Sequence, residues 1–157
     1  MFRKLFNLKK PRLYLKSITV VPTDEGMDEQ LKEELEGIFG KPHTAEIPDL
    51  TSTDLGLEIF VPDYRLGDAG VLWLGIEGAA VPLMFRPRIE LRARLFQIES
   101  GRTVKVFTVR RKMAIKKGFA RMFSWGGMID QTFTPRDVQA LFFDACKELI
   151  DDLRPYQ

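Results

Sequence analysis

Cysteine and histidine are almost missing: the 157-residue chain holds one of each, Cys146 and His43. A single cysteine excludes an internal disulfide and any multi-cysteine zinc site. A lone histidine beside Pro42 would need an improbable gathering of carboxylates to hold a transition metal. It is also the one imidazole base available to a nucleophile. Ser17, Ser52, Ser100 and Ser124 lack the strand-turn-helix context of a nucleophile elbow. No apolar run approaches the roughly 20 residues that span a bilayer. There is no internal repeat and no low-complexity stretch. Gly75-Ile76-Glu77-Gly78 lacks the Lys-Ser/Thr ending and the following helix of a phosphate loop. Neither a metal nor a cofactor is expected.

What remains for acid–base work is carboxylates. Glu58, Asp63 and Asp68 lie along one strand and turn, but catalysis would need them to share a cleft with separated pKa values. The expectation is that they are solvent-facing strand and turn residues, and that the protein acts by binding rather than catalysis. A hydrophobic content of 45% supplies one core, and 29% charged residues make an ordinary soluble surface.

The net charge of +2 conceals a segregation. Residues 1–16 carry Arg3, Lys4, Lys9, Lys10, Arg12 and Lys16 without an acid. Residues 24–36 hold seven acids against Lys32, and residues 86–121 hold twelve basic residues against Glu90 and Glu99. Either the fold sorts acidic and basic faces, or a basic surface meets an anionic partner such as lipid headgroups or nucleic acid.

Along the chain, MFRKLFNLKK has the charges of a signal-peptide n-region without an h-region or cleavage site. Residues 1–11 are therefore expected to form a basic amphipathic tail, and 12–157 a single domain. RLYLKSITVVP reads as a central strand, because Ile18, Val20 and Val21 leave little room for a polar face. Thr23 or Asp24 then offers an N-cap. Met27, Leu31, Leu35, Ile38 and Phe39 recur at helical spacing up to Gly40 and Pro42. A loop (41–53) precedes a strand from Leu55 that closes at Pro62, and Val71–Ile76 reads as a short strand before a Gly-Ala-Pro segment.

Ile89, Leu91, Ala93 and Leu95 alternate with charged residues. A Glu99-Ser100-Gly101-Arg102 turn returns the chain as an antiparallel partner, Thr103 to about Met113, with a bulge expected near Val106 and Phe107. Thr134-Pro135-Arg136-Asp137 looks like a capped start for a helix over 135–153, with Val138, Phe142, Ala145, Cys146, Leu149 and Leu153 on one stripe. On that stripe Cys146 is a small core residue. The order β-α-β-β-β-β-α predicts an α+β fold with two helices packed on a largely antiparallel or mixed sheet.

Two surfaces stand out. The hairpin places Arg88, Arg92 and Arg94 on one face, where long cations also solubilise a sheet. The segment KKGFARMFSWGGM sets Phe119, Met122, Phe123 and Trp125 among Lys116, Lys117 and Arg121. Four large apolar residues in a glycine-flanked connection either fold back on the core or form an interaction surface. Such a surface would suit a protein groove or an anionic membrane. Nucleic acid, held through the basic region 86–121, is the alternative, although no RNA-recognition or OB-fold signature accompanies it.

SITVVPTDEGMDEQLKEELEGIF, TSTDLGLEIFVPDYRLGD, RIELRARLFQIESGRTVKVFTVRRK and the capped final helix follow in an order that resembles envelope proteins with a TolB N-terminal-domain-like fold, including CsgG-like lipoproteins. The resemblance spans roughly residues 12–153 and rests on patterns of apolarity and turns. It implies a non-enzymatic accessory or assembly component of the bacterial envelope that binds a protein partner. No shared catalytic residues come with it. The location it implies is peripheral membrane or periplasm, with the cytoplasm as alternative because neither a leader nor a lipidated cysteine is evident.

Overall fold

In the computed structural model, residues 11–23, 26–43, 53–73, 80–122 and 133–156 are described, the side chains of 68–73, 80–84, 118, 119, 121 and 122 excepted. The elements are β1 (Leu13–Val20), α1 (Asp28–Phe39), β2 (Leu55–Arg65), β3 (Asp68–Trp73), β4 (Ala80–Phe85), β5 (Arg88–Gln97), β6 (Thr103–Lys112), α2 (Ile115–Met122) and α3 (Pro135–Leu153). The fold is α+β, as the sequence predicts.

Four strands form a mixed sheet in the order β1-β2-β5-β6, with β1 parallel to β2 and the other pairs antiparallel. β3 and β4 form a separate antiparallel ribbon inserted between β2 and β5. α1 crosses from β1 to β2 and packs beside β1, while α3 lies over β5 and β6. Both helices cover the same side of the sheet. Leu15, Ile18, Leu57, Ile59, Leu91 and Leu95 from the strands meet Leu31, Leu35, Val138, Phe142 and Leu149 in one core. The period-2 apolar pattern thus buries one sheet face and leaves the other to solvent.

Several boundaries differ from expectation. β2 does not close at Pro62. A register slip between Phe60 and Asp63 absorbs the proline, and the strand continues to Arg65; bulges are where a sheet tolerates a residue without an N–H. β3 starts earlier than predicted, at Asp68, and residues 74–76 lie outside the described residues. The Gly-Ala-Pro segment contains a strand, β4, whose pairing partner is β3. α2 occupies what reads as a glycine-flanked connection. The irregularity in the hairpin falls between Leu95 and Phe96, where Val104 has no residue opposite, a little before the expected Val106 and Phe107. Its effect is to turn Val104 and Val106 outward, 46% and 57% exposed, while Phe107 and Val109 enter the core.

The start of α1 is also anchored differently. Its N-cap is Met27, not Thr23, and no side chain of the cap residue closes the turn; Asp24 lies outside the described residues. Instead the Met27 N–H donates to Tyr64 Oη at 3.0 Å, and the Tyr64 hydroxyl donates to Asp28 Oδ1 at 2.7 Å. α3 begins as predicted, with the Thr134 N–H and hydroxyl donating to Asp137 Oδ2 at 3.0 and 3.1 Å. The hairpin turn is held as predicted, with the Gly101 N–H donating to the Gln97 carbonyl at 2.8 Å.

Candidate interaction surface

The strand register builds the open sheet face row by row. Glu58 lies opposite Arg94 and Arg94 opposite Val106. Phe60, Arg92 and Thr108 form the next row, and Asp63, Glu90 and Arg110 the one after. Arg65, Arg88 and Lys112 close the end. Arg88, Arg92 and Arg94 do share one face, but each is tied to an acid. Arg88 Nη2 reaches Asp63 at 2.7 Å, Arg92 Nε reaches Glu90 at 2.6 Å, and Arg94 Nη1 reaches Glu58 at 3.1 Å. Arg110 Nε adds a second contact to Glu90 at 2.7 Å. The Arg94 guanidinium further caps the hairpin turn at the Gly101 carbonyl, 2.9 Å, and lies over the Phe96 ring at 5.0 Å.

This network shows in the charges themselves. The hydrogen bond from Arg110, aided by Arg92, holds the Glu90 carboxyl below the ordinary glutamate range, and Glu90 in turn raises Arg110. The charge open to an arriving anion on this face is therefore only what these pairs leave over. The same pairs occupy the carboxylates considered for acid–base work: Glu58 and Asp63 each face a guanidinium. The Asp68 side chain lies outside the described residues.

A second basic region gathers where β4 leads into β5 and β6 into α2. The Met113 N–H donates to the Pro87 carbonyl at 3.0 Å, and Arg86 Nη1 donates to the Met113 carbonyl at 3.0 Å, so the two connections run side by side. Phe85 on one and Ile115 on the other are 62% and 52% exposed. Lys112, Lys116 and Lys117 are exposed around them. Next to Lys112, an open cleft of about 290 Å³ is lined by Asp63, Arg88, Ile89, Glu90, Arg110 and Arg111 as well.

Lys116 and Lys117 stand in the first turn of α2, which carries no acid. There they oppose the positive end of the helix dipole. Phe119 and Arg121 belong to the same helix, their side chains outside the described residues, as are Phe123 and Trp125 altogether. Phe85, Arg86, Lys112 and Ile115 escaped the sequence reading, although Ile115 precedes Lys116-Lys117 directly and Phe85-Arg86 carries the same aromatic–basic pairing. The basic tail, residues 1–10, lies outside the described residues.

The opposite side of the molecule is acidic. α1 carries Asp28, Glu29, Glu33, Glu34 and Glu36 against Lys32. α3 carries Asp144, Glu148, Asp151 and Asp152 outside the core against Arg136 and Lys147, with Phe143 half-exposed beside them. Glu148 pairs with Arg111 from β6, and Glu34 accepts from Gln139 at 2.6 Å, joining the helices. Cys146 is buried between them. Burial, reinforced by Glu34, pushes its thiol up to about 12, so it stays protonated and inert at neutral pH. The His43 N–H donates to the Leu15 carbonyl on the outer edge of β1 at 2.9 Å, and its ring meets Tyr14 edge-on at 5.7 Å. Among the described residues no three histidine, cysteine or acidic side chains gather as a metal site, and no helix is long and apolar enough to cross a membrane.

No protein-family model matches the chain, and no curated protein matches it in sequence. Similar solved structures do exist. A dodecamer of PelC from Paraburkholderia phytofirmans is 13% identical over 93% of this chain and 86% of its own, at a TM-score of 0.44. A hypothetical protein from Chlamydia trachomatis is 10% identical over 94% and 97%, at 0.46. A lipoprotein from Neisseria meningitidis is 15% identical over 87% and 99%, at 0.27. At these scores the likenesses decide nothing about function, which has to be read from the side chains of the chain itself.

Proposed function

We propose that this protein is a non-enzymatic binding domain of the bacterial envelope that docks peripherally on an anionic membrane surface and there scaffolds a protein partner. The observation that carries the docking is the end of the sheet where Phe85 and Ile115 are exposed among Arg86, Lys112, Lys116 and Lys117. Apolar side chains ringed by cations suit the headgroup boundary, where rings and aliphatic chains enter and ammonium groups meet phosphate. The lysines at the start of α2 gain there the counter-charge that their own helix denies them. The compartment and the protein partner rest on the resemblance of the sequence pattern to CsgG-like envelope proteins.

Flotation with lipid vesicles tests the docking. The full chain should float with phosphatidylglycerol vesicles at low salt, stay behind with phosphatidylcholine vesicles, and be released by high salt. Each lysine near such a surface contributes about 1 kcal/mol, so Lys112→Glu, Lys116→Glu and Lys117→Glu together should abolish flotation. Phe85→Ser with Ile115→Ser should weaken it at every salt concentration. Equal binding to both lipids, or binding untouched by these five changes, would refute the docking surface. Retention on duplex or single-stranded DNA at low salt, with no flotation, would move nucleic acid to the front.

A further inference from the structure

We infer that a second copy of this chain docks its acidic helix layer onto the open sheet face, in a head-to-tail contact that is distinct from the membrane-docking end. The two faces of the molecule are complementary in charge. On the open face, leaving aside Lys112 at the docking end, Arg65, Arg88, Arg92, Arg94 and Arg110 outnumber Glu58, Asp63 and Glu90 by five to three. The exposed or half-exposed sides of α1 and α3 hold nine carboxylates against Lys32, Arg136 and Lys147, and Arg111 and Arg154 pair with Glu148 and Asp151, so the acids still outnumber the cations by nine to five. The internal ion pairs cancel part of the positive face and leave a surplus that nothing among the described residues neutralises.

Each face also carries an apolar contact that water covers poorly. Val104 and Val106 are turned outward by the bulge in β6, and Phe143 stands half-exposed on α3. A β-strand edge normally blunts itself with charge, so two adjacent outward valines among arginines mark a place meant to be covered. Opposed charge sets the orientation and rejects the like-face pairing, in which two basic sheets or two acidic helix layers would meet. Because different surfaces meet, the contact is heterologous. Growth then continues past a dimer until a ring closes, or without limit if none does.

Sedimentation velocity with the full chain tests this through complementation. Variant S, Val106→Glu with Thr108→Glu, places carboxylates at two exposed positions of the sheet face beside arginines that can accept them. Variant H, Glu33→Lys with Asp144→Lys and Asp151→Lys, changes only exposed helix residues. Circular dichroism and thermal unfolding establish that both fold.

The wild type should sediment above monomer mass at low salt, rise with concentration beyond dimer, and fall to monomer at high salt. S and H alone should each be monomeric. Their mixture should form a one-to-one heterodimer, because H keeps the sheet face that receives the intact helix layer of S. A wild type monomeric at low salt over the accessible concentration range would overturn the inference. So would association that stops at a dimer, or loss of association in S and H with no recovery on mixing, since an interface of like surfaces cannot be complemented this way.

Discussion

The Phe96 ring lies flat on the open face of the sheet over Gly56, its partner in the β2–β5 register. A Cβ built on Gly56 would sit 2.4 Å from that ring, so the glycine is there for the space it leaves and not for an unusual backbone angle. Arg94 closes the stack from above. Gly56→Ala should therefore destabilise the fold by about 1–3 kcal/mol, the usual cost of overpacking a filled site. Urea unfolding of the single variant and of Gly56→Ala with Phe96→Leu checks the cause. If the clash is the reason, the smaller side chain recovers most of the loss. Asp54 is a second residue whose position explains it. Buried at the mouth of β2, it accepts from the Arg12 backbone N–H at 3.2 Å and from Arg12 Nη2 at 2.8 Å, pinning the first residues of β1 to the strand beside it.

Elements were legible where one short-range pattern decides them. β1 and α1 announce themselves by an apolar run and then a 3.6-residue stripe, although β1 lies at the edge of the sheet and not in its centre as the run suggests. The β5–β6 hairpin shows by alternation around Gly101, and α3 by its capping residues. Misread elements depend on the strand that pairs with them and not on a pattern of their own. β2 passes Pro62 because β5 pairs with it on both sides of the slip, and β4 is a strand because β3 lies beside it. The interaction surface divides likewise. Alternation alone places Arg88, Arg92 and Arg94 on one face. That Glu58 and Asp63 come from β2 to meet two of them follows from strand order, which no local pattern encodes.

Tyr64 sums up the difference. Lying past the expected end of β2, it becomes a core residue whose hydroxyl takes over the capping of α1. Tyr64→Phe leaves the ring in place and strands the buried Met27 N–H. The expected loss is about 1–2 kcal/mol in urea unfolding. The Asp28 carboxyl, held low first of all by that hydroxyl, should titrate nearer its ordinary value when followed by NMR. An unchanged midpoint would mean that water caps the helix equally well.

For the whole molecule, the sorting of acids to the helix side and surplus bases to the sheet side turns a nearly neutral chain into a dipolar one, and it gives stability a definite response to acid. Glu90 is the carboxylate most enclosed by cations on the open face, bridging Arg92 of its own strand to Arg110 of the next. Its pKa is lower folded than unfolded, so in the acid range the unfolded chain binds the proton first. Stability from this group is thus fully present above the ordinary glutamate pKa and is lost as the pH falls through the lowered one. Glu90→Gln removes the titration and both ion pairs. The variant should be less stable than wild type at neutral pH, with a shallower fall in acid, and the two curves should converge at low pH. Urea midpoints taken across a pH series measure this directly. Curves that stay parallel down to the acid limit would mean that the bridge between β5 and β6 adds nothing, and that the sheet is held by its buried face alone.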